Sequence, residues 1–343
     1  FKTGEKLVYD QHNSLVKEST SVDSQGDTTI TSVKYTGDFE YIPGSTTGQN
    51  FQLKMLWDYF LIAEPVEIVV RVKPKDSVNS KLISATLYEY EGLNISKVYK
   101  IHEKIPFSLF SAAYNDSTGF YKDSRYTLQQ EVIAWDSLVK PKTVVTNRNL
   151  NSYIWDVNFS GPIASVVNAS HEDIAFTTFE GFANGGWTGA AATRDSTYTI
   201  TGRKSYQLSW GNLVKSGLTS SKQYIVSYWS RNGSYSISGS TATLQGRTVN
   251  GWTYYEHSVT GVSSITVSGS GTSFIDELRL YPKSAQMGTY TYEELLGVKS
   301  LCDANNRISY YEYWGPGQLK LVKDEEGNIL KRLEYRYMTT TGE

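Results

Sequence analysis

The chain has 343 residues, with 33 Lys and Arg against 35 Asp and Glu, so there is no basic excess to hold nucleic acid and no strong acidic field. Its single cysteine, Cys302, excludes an intrachain disulfide framework, and no apolar run approaches membrane-spanning length. Aromatic residues make up 13% of the chain and 26 residues are Tyr, a bias toward side chains that suit a pleated, half-buried surface and hence an all-β fold. The chain opens on FKTGEKLVYD without an initiator Met and stops at YMTTTGE, which reads as a mature or trimmed piece of something longer.

From the start, turn signals alternate with strand signals. YDQHNSL places Asp10, Asn13 and Leu15 as a turn followed by a strand, and DSQGD from Asp23 to Asp27 is a looser copy. LYEYEGLNISKVYKI and QQEVIAWDSLVKPKTVV continue the pattern up to about residue 170. Pro141 and Pro162 are expected at strand edges or turns, because proline cannot donate to a ladder. A short helix is expected at Ser170 to Ala175, with Ser170 as its cap and Asp173 three residues on.

Between residues 174 and 283 the character changes: Gly and Ser rise, charge falls, and Trp187, Trp210, Trp229 and Trp252 appear. Successive short segments, YIVSYWSRNG, GWTYYEHSV, SITVSG and FIDELRLYP, read as strands of a β-sandwich. At Tyr290 the first grammar resumes as a repeat with an offset of about 21 residues. Tyr290 and Tyr292 fall over Tyr311 and Tyr313, Asp303 over Asp324, Asn306 over Gly327, and Ile308 over Ile329. Asp at a turn entrance accepts a bond from an N–H two residues on. Gly or Asn three positions later supplies the positive φ that a tight hairpin needs. Along the strand after the turn, Ile308, Tyr310 and Glu312 alternate with Tyr311 and Tyr313.

The stretch YEYWGPGQLKLVKDEEGNILKRLEYRY resembles the YD repeats of the Rhs family. It departs from that pattern where Trp314 stands in place of the usual Asp and Gln318 in place of Arg, while Gly317 and Leu319 keep turn and register. The resemblance implies a coiling β-ribbon of a large bacterial surface or secreted protein. The middle region resembles jelly-roll carbohydrate-binding modules: Phe179-Glu180, then Gly202, Ser205 and Leu208, then Tyr224 to Trp229, then Ile275-Asp276-Glu277 fall in the order such modules use. The chain is thus expected to hold a degenerate ribbon over residues 1–170, a sandwich over 171–284 and YD repeats over 285–343. The second resemblance also implies a structural calcium held by Glu180 and Asp276, whose carboxylate oxygens suit that ion.

No catalytic constellation is visible. His12, His102, His171 and His257 are scattered without metal-ligand spacing, and Cys302 lacks an evident His partner. Asp276 and Glu277 are adjacent, so on a regular strand they would point to opposite faces and could not act as an acid/base pair. Five Asn-x-Ser sequons, at Asn94, Asn115, Asn158, Asn168 and Asn232, are short and carry little on their own.

Aromatic side chains are the better binding candidates, because a flat ring with a polar handle suits the C–H face of a sugar. Trp187 in the Gly-rich GGWTG is expected to be the most exposed. Trp229 shares a strand face with Ser227 and Arg231, and Trp252 starts a strand after a turn. Core packing is the competing use of each Trp. Trp187, Trp229, Arg231 and Trp252 are therefore the expected glycan-binding residues, on a non-catalytic secreted or surface protein of a Gram-negative bacterium. Its partners would be a polysaccharide or other glycan and an outer-membrane or surface protein covering the ribbon edges. Two further readings are a fragment of an Rhs-type toxin-delivery shell and the accessory module of a polysaccharide-degrading enzyme.

Overall fold

Aspartate-led turns recur through the chain. The computed structural model describes residues 5–10, 14–156, 158, 161–181 and 184–335; His12 and Asn13 lie outside them. Asp23 Oδ1 accepts hydrogen bonds from the N–H groups of Gln25 and Asp27, both at 2.9 Å. Asp136 does the same for Leu138 and Lys140, Asp303 for Asn305 and Arg307, and Asp324 for Glu326 and Asn328. Each turn places its fourth residue in the left-handed region: Gly26 at φ 89°, Val139 at 60°, Asn306 at 61° and Gly327 at 89°. One carboxylate oxygen thus satisfies two turn amides, and the left-handed residue reverses the chain into the next strand.

The tyrosine spacing has its own physical use. Tyr292 donates its hydroxyl to the Pro162 carbonyl, Tyr313 to Val298 and Tyr335 to Leu319. Tyr35 and Tyr90 reach the Val16 and Pro65 carbonyls in the same way. The ring packs along the sheet while its hydroxyl pins a backbone oxygen 15 or more residues away. The protein is mostly antiparallel β-structure, as the composition predicts.

By contacts the chain forms two compact units, residues 1–133 with 145–148, and residues 134–144 with 149–343. The first unit is a meander of strands Glu5–Tyr9, Val16–Val22, Thr28–Tyr35, Pro65–Lys73, Lys81–Glu91 and Asn94–Ile101, each antiparallel to the next. Its core includes an α-helix, Gly48–Asp58, where the sequence pattern predicts only ribbon. Leu53 and Leu56 of that helix are fully buried against Phe39, Val66, Leu82 and Leu87. The meander needs this second layer because a sheet must bury one face against another element.

In the second unit, strand Asn149–Trp155 pairs with Pro162–Val167, which pairs directly with Gln286–Glu293. The ribbon then runs on through Gly297–Cys302, Ile308–Gly315, Gln318–Asp324 and Ile329–Arg332. The 118 residues between Val167 and Gln286 therefore leave and rejoin the ribbon at neighbouring strands. Pro141 and Pro162 each sit at the first position of a strand, where a missing N–H costs no ladder bond. Where a short helix is expected from sequence, a single 3-10 turn forms at His171–Asp173.

The excursion folds as two antiparallel sheets. The larger runs Ala175–Thr177, Phe274–Pro282, Gln223–Arg231, Trp252–Thr260 and Ser240–Val249. The smaller holds Leu213–Ser216, Ser264–Ser268 and Ser236–Ile237. Between them Tyr224, Val226, Tyr228, Leu213, Ile237, Ile265 and Val267 form one core. The larger sheet is also covered on its other face. Ile225 and Tyr281 pack with Ile154, Ile163 and Met287 of the ribbon, and Trp229, Trp252 and Phe274 pack with Cys302 and Ile308. Every residue of Phe274–Pro282 is consequently buried, as in a strand covered on both faces.

Candidate binding site

Burial on both faces overturns the expected exposure of the tryptophans. Trp187 is 3% exposed and belongs to the core between the two sheets. Its glycines bring the loop close to the sheet: a Cβ on Gly185 would lie 1.7 Å from the Phe176 carbonyl oxygen. Trp229 and Trp252 are each 1% exposed. The Arg247 guanidinium lies 5.1 Å from the Trp229 ring, and Arg247 pairs with Glu325 of the ribbon. The residues that alternation assigns to an outward face are therefore buried under the ribbon.

Arg231 is the candidate that is only half-buried. It ends strand Gln223–Arg231, just before a turn in which Asn232 and Gly233 both take positive φ. Its guanidinium lies 4.2 Å from the centroid of the Tyr198 ring, a cation–π distance. Tyr198 is 38% exposed and leans on Phe274 at 5.2 Å. A turn led by Asp195, whose Oδ1 accepts the N–H groups of Thr197 and Tyr198, fixes its backbone. Gly251 lets the Asn250–Gly251 turn approach the other side: a Cβ there would stand 3.2 Å from Arg231 Nη1. Among the described residues, no hydrogen bond or ion pair engages the Arg231 guanidinium. Sequence reasoning misses Tyr198; the Asp-Ser-Thr-Tyr turn signal is its only mark.

Glu180 and Asp276 converge on the segment 200–204. Asp276 Oδ2 accepts the N–H groups of Ile200 and Thr201, both at 3.1 Å, while Oδ1 accepts that of Glu277. Glu180 Oε1 accepts the N–H groups of Arg203 and Lys204, both at 2.6 Å. Burial, then the charges of Glu277 and Glu180, hold Asp276 well above the usual carboxylate range, and burial raises Glu180. A calcium ion needs carboxylate and carbonyl oxygens free to face it. Here backbone donors take both Asp276 oxygens and one of Glu180. Among the described residues, no group of three His, Cys, Asp or Glu side chains is placed to hold a metal ion. The arrangement does not fit calcium; the amides of 200–204 do the work of a counter-charge.

Asp276 and Glu277 do not point to opposite faces, contrary to the expectation from a regular strand. Glu277 adopts φ 52°, and the register with Gln223–Arg231 shifts by one between Ser227 and Trp229. This β-bulge turns both side chains toward Thr201: Asp276 takes its N–H and Glu277 Oε1 its hydroxyl. Cys302 is buried, and burial pushes its thiol far up, so it is held as the protonated form.

No protein-family model matches this chain, and no curated protein matches it. None of the described helices is long and apolar enough to cross a membrane.

Proposed function

We propose that this chain is a non-catalytic binding and scaffold protein, secreted or at the surface of a Gram-negative bacterium. In this reading a YD-type ribbon carries a jelly-roll sandwich that binds glycan, in the service of adhesion, surface motility or a surface complex. The observation that carries the reading is the Tyr198–Arg231 pair. A phenol ring 38% exposed offers apolar surface to a pyranose, and the guanidinium stacked on it, with no hydrogen-bond or ion-pair partner among the described residues, offers N–H donors to the sugar hydroxyls. Arg231 ends its strand and Tyr198 stands on a turn beside Phe274, on the sheet face that packs on the ribbon, so the pair is held in place before any ligand arrives. The repeated Asp turns and tyrosine pins support the YD-type assignment of the ribbon. No cation is required in this reading, because backbone amides already occupy the Glu180 and Asp276 carboxylates.

The test is glycan-array binding by the whole chain, beside Tyr198→Ala and Arg231→Gln, each with calcium and with EDTA. Saturable binding that falls about tenfold in either variant, and is indifferent to EDTA, supports the proposal. Binding unchanged by both substitutions, or no glycan retained at all, would sink it.

A further inference from the structure

A cleft of about 560 Å³ opens within the second unit, on a different part of the sandwich from Tyr198 and Arg231. One wall is the turn Asn168–Ser170, where the ribbon leaves for the sandwich. The other is Lys222–Gln223 with Pro282–Ser284, where the chain returns. The volume suits one or two sugar rings.

Its polar lining is built rather than incidental. Asp173, with its side chain 4% exposed, accepts from Ser170 Oγ at 2.8 Å, from Lys222 Nζ at 2.6 Å and from the Tyr224 hydroxyl. One buried carboxylate thus fixes two groups of the cleft wall. Because the Ser170 hydrogen is committed to Asp173, its oxygen is left as an acceptor. Asn168, held at φ 65°, donates from Nδ2 to the Ser284 carbonyl and ties the two walls together. Across from them, among the described residues, the side chains of Gln223, Lys283 and Ser284 have no protein hydrogen-bond or ion-pair partner. Half-buried Leu150 adds apolar surface, with the buried Pro282 behind the wall. Of the two lysines that line the cleft, Lys222 is paired with Asp173, while Lys283 has no ion-pair partner among the described residues.

We propose that this cleft is a second binding site, and that it takes an acidic sugar, a pyranose bearing one carboxylate, within a glycan. The ring's C–H face would lie on Leu150, its hydroxyls would meet Ser170, Gln223 and Ser284, and its carboxylate would meet Lys283. This rests on the glycan-binding reading given above and adds a site and a ligand class to it.

The test is calorimetric titration of the whole chain with an oligomer of galacturonic acid. The controls are the same oligomer with its carboxyls reduced to alcohols, and inorganic phosphate as competitor. Lys283 is exposed, so Lys283→Gln is expected to leave the fold intact. The expected result is saturable binding of the acidic oligomer, about tenfold weaker for Lys283→Gln and for the reduced oligomer, unchanged in Arg231→Gln and not displaced by phosphate. Equal affinity for both oligomers, indifference to Lys283→Gln, or displacement by phosphate overturns the acidic-sugar site. If other glycans still bind in a Tyr198- and Arg231-dependent manner, only this inference fails. If no glycan binds at all, the reading beneath it fails too.

Discussion

The Arg279 guanidinium and the Glu277 carboxylate form an ion pair, Nη2 to Oε2 at 3.2 Å, with both side chains closed off from water between sandwich and ribbon. Arg279 also donates to the carbonyl oxygens of Met287, Cys302 and Asp303 and to the Thr289 hydroxyl, so it joins the sandwich strand to two ribbon strands. Removing one partner leaves a buried charge uncompensated. Arg279→Met is expected to cost about 3–5 kcal/mol. Arg279→Met combined with Glu277→Leu should cost less than the sum of the two single changes. Urea unfolding of the four proteins in the cycle checks this. Additivity to within about 0.5 kcal/mol would mean that the two groups are not coupled.

Val139 holds the left-handed position of the Asp136 turn, where the equivalent turns have Gly26, Asn306 and Gly327. A β-branched residue is the poorest choice there, because its Cβ substituents crowd the backbone. Val139→Gly is expected to raise stability by about 1 kcal/mol. The reverse change, Gly327→Val, is expected to lower it by a similar amount or more. Thermal unfolding of both variants decides it; a destabilised Val139→Gly would show that packing of the Val139 side chain outweighs its backbone strain.

These turns are legible in the sequence because their chemistry is local: an Asp, a left-handed residue three places on, and alternation after it. The helix Gly48–Asp58 is not, because GQNFQLKMLWD buries only Leu53 and Leu56 and so writes a faint apolar stripe. The tryptophans mislead for a related reason. Alternation distinguishes buried from exposed faces only when one face meets water, and the Gln223–Arg231 strand is buried from Tyr224 through Ser230. Trp229 and Tyr228 point opposite ways and are both core. Arg231 is legible as the polar end of that strand, whereas its partner Tyr198 comes from 33 residues earlier and is joined to it only by the fold.

Trp187 is a core residue, so its substitution tests stability before it tests binding. Trp187→Ala is expected to lose about 3–5 kcal/mol, and lost binding in that variant would report unfolding and not a site. Its indole N–H is buried without a hydrogen-bond partner. Trp187→Phe removes that orphan donor while keeping most of the ring, and should cost far less than Trp187→Ala. Circular dichroism melts of the two variants separate these outcomes; equal losses would mean that the indole N–H is satisfied in solution.

His257 gives the protein a pH dependence that can be isolated. It lies 3% exposed, with Nε2 3.0 Å from the Tyr228 hydroxyl and Nδ1 3.1 Å from the Ser240 and Thr243 hydroxyls. Burial lowers its pKa below the ordinary histidine value. The neutral ring is therefore favoured in the folded state, and its contribution is fully present above about pH 6.5, the unfolded value. As pH falls below that, the unfolded chain takes up the proton first, and stability is lost until the folded-state pKa is passed. The raised Asp276 acts with the opposite sign, binding its proton more readily when folded and gaining stability on acidification. The informative quantity is thus the difference between wild type and His257→Gln. Wild type should lose stability relative to the variant as pH falls through about 6.5 and level off below the folded-state pKa. Parallel stability curves from about pH 8 to about pH 5, measured by urea unfolding, would show that His257 titrates alike in both states.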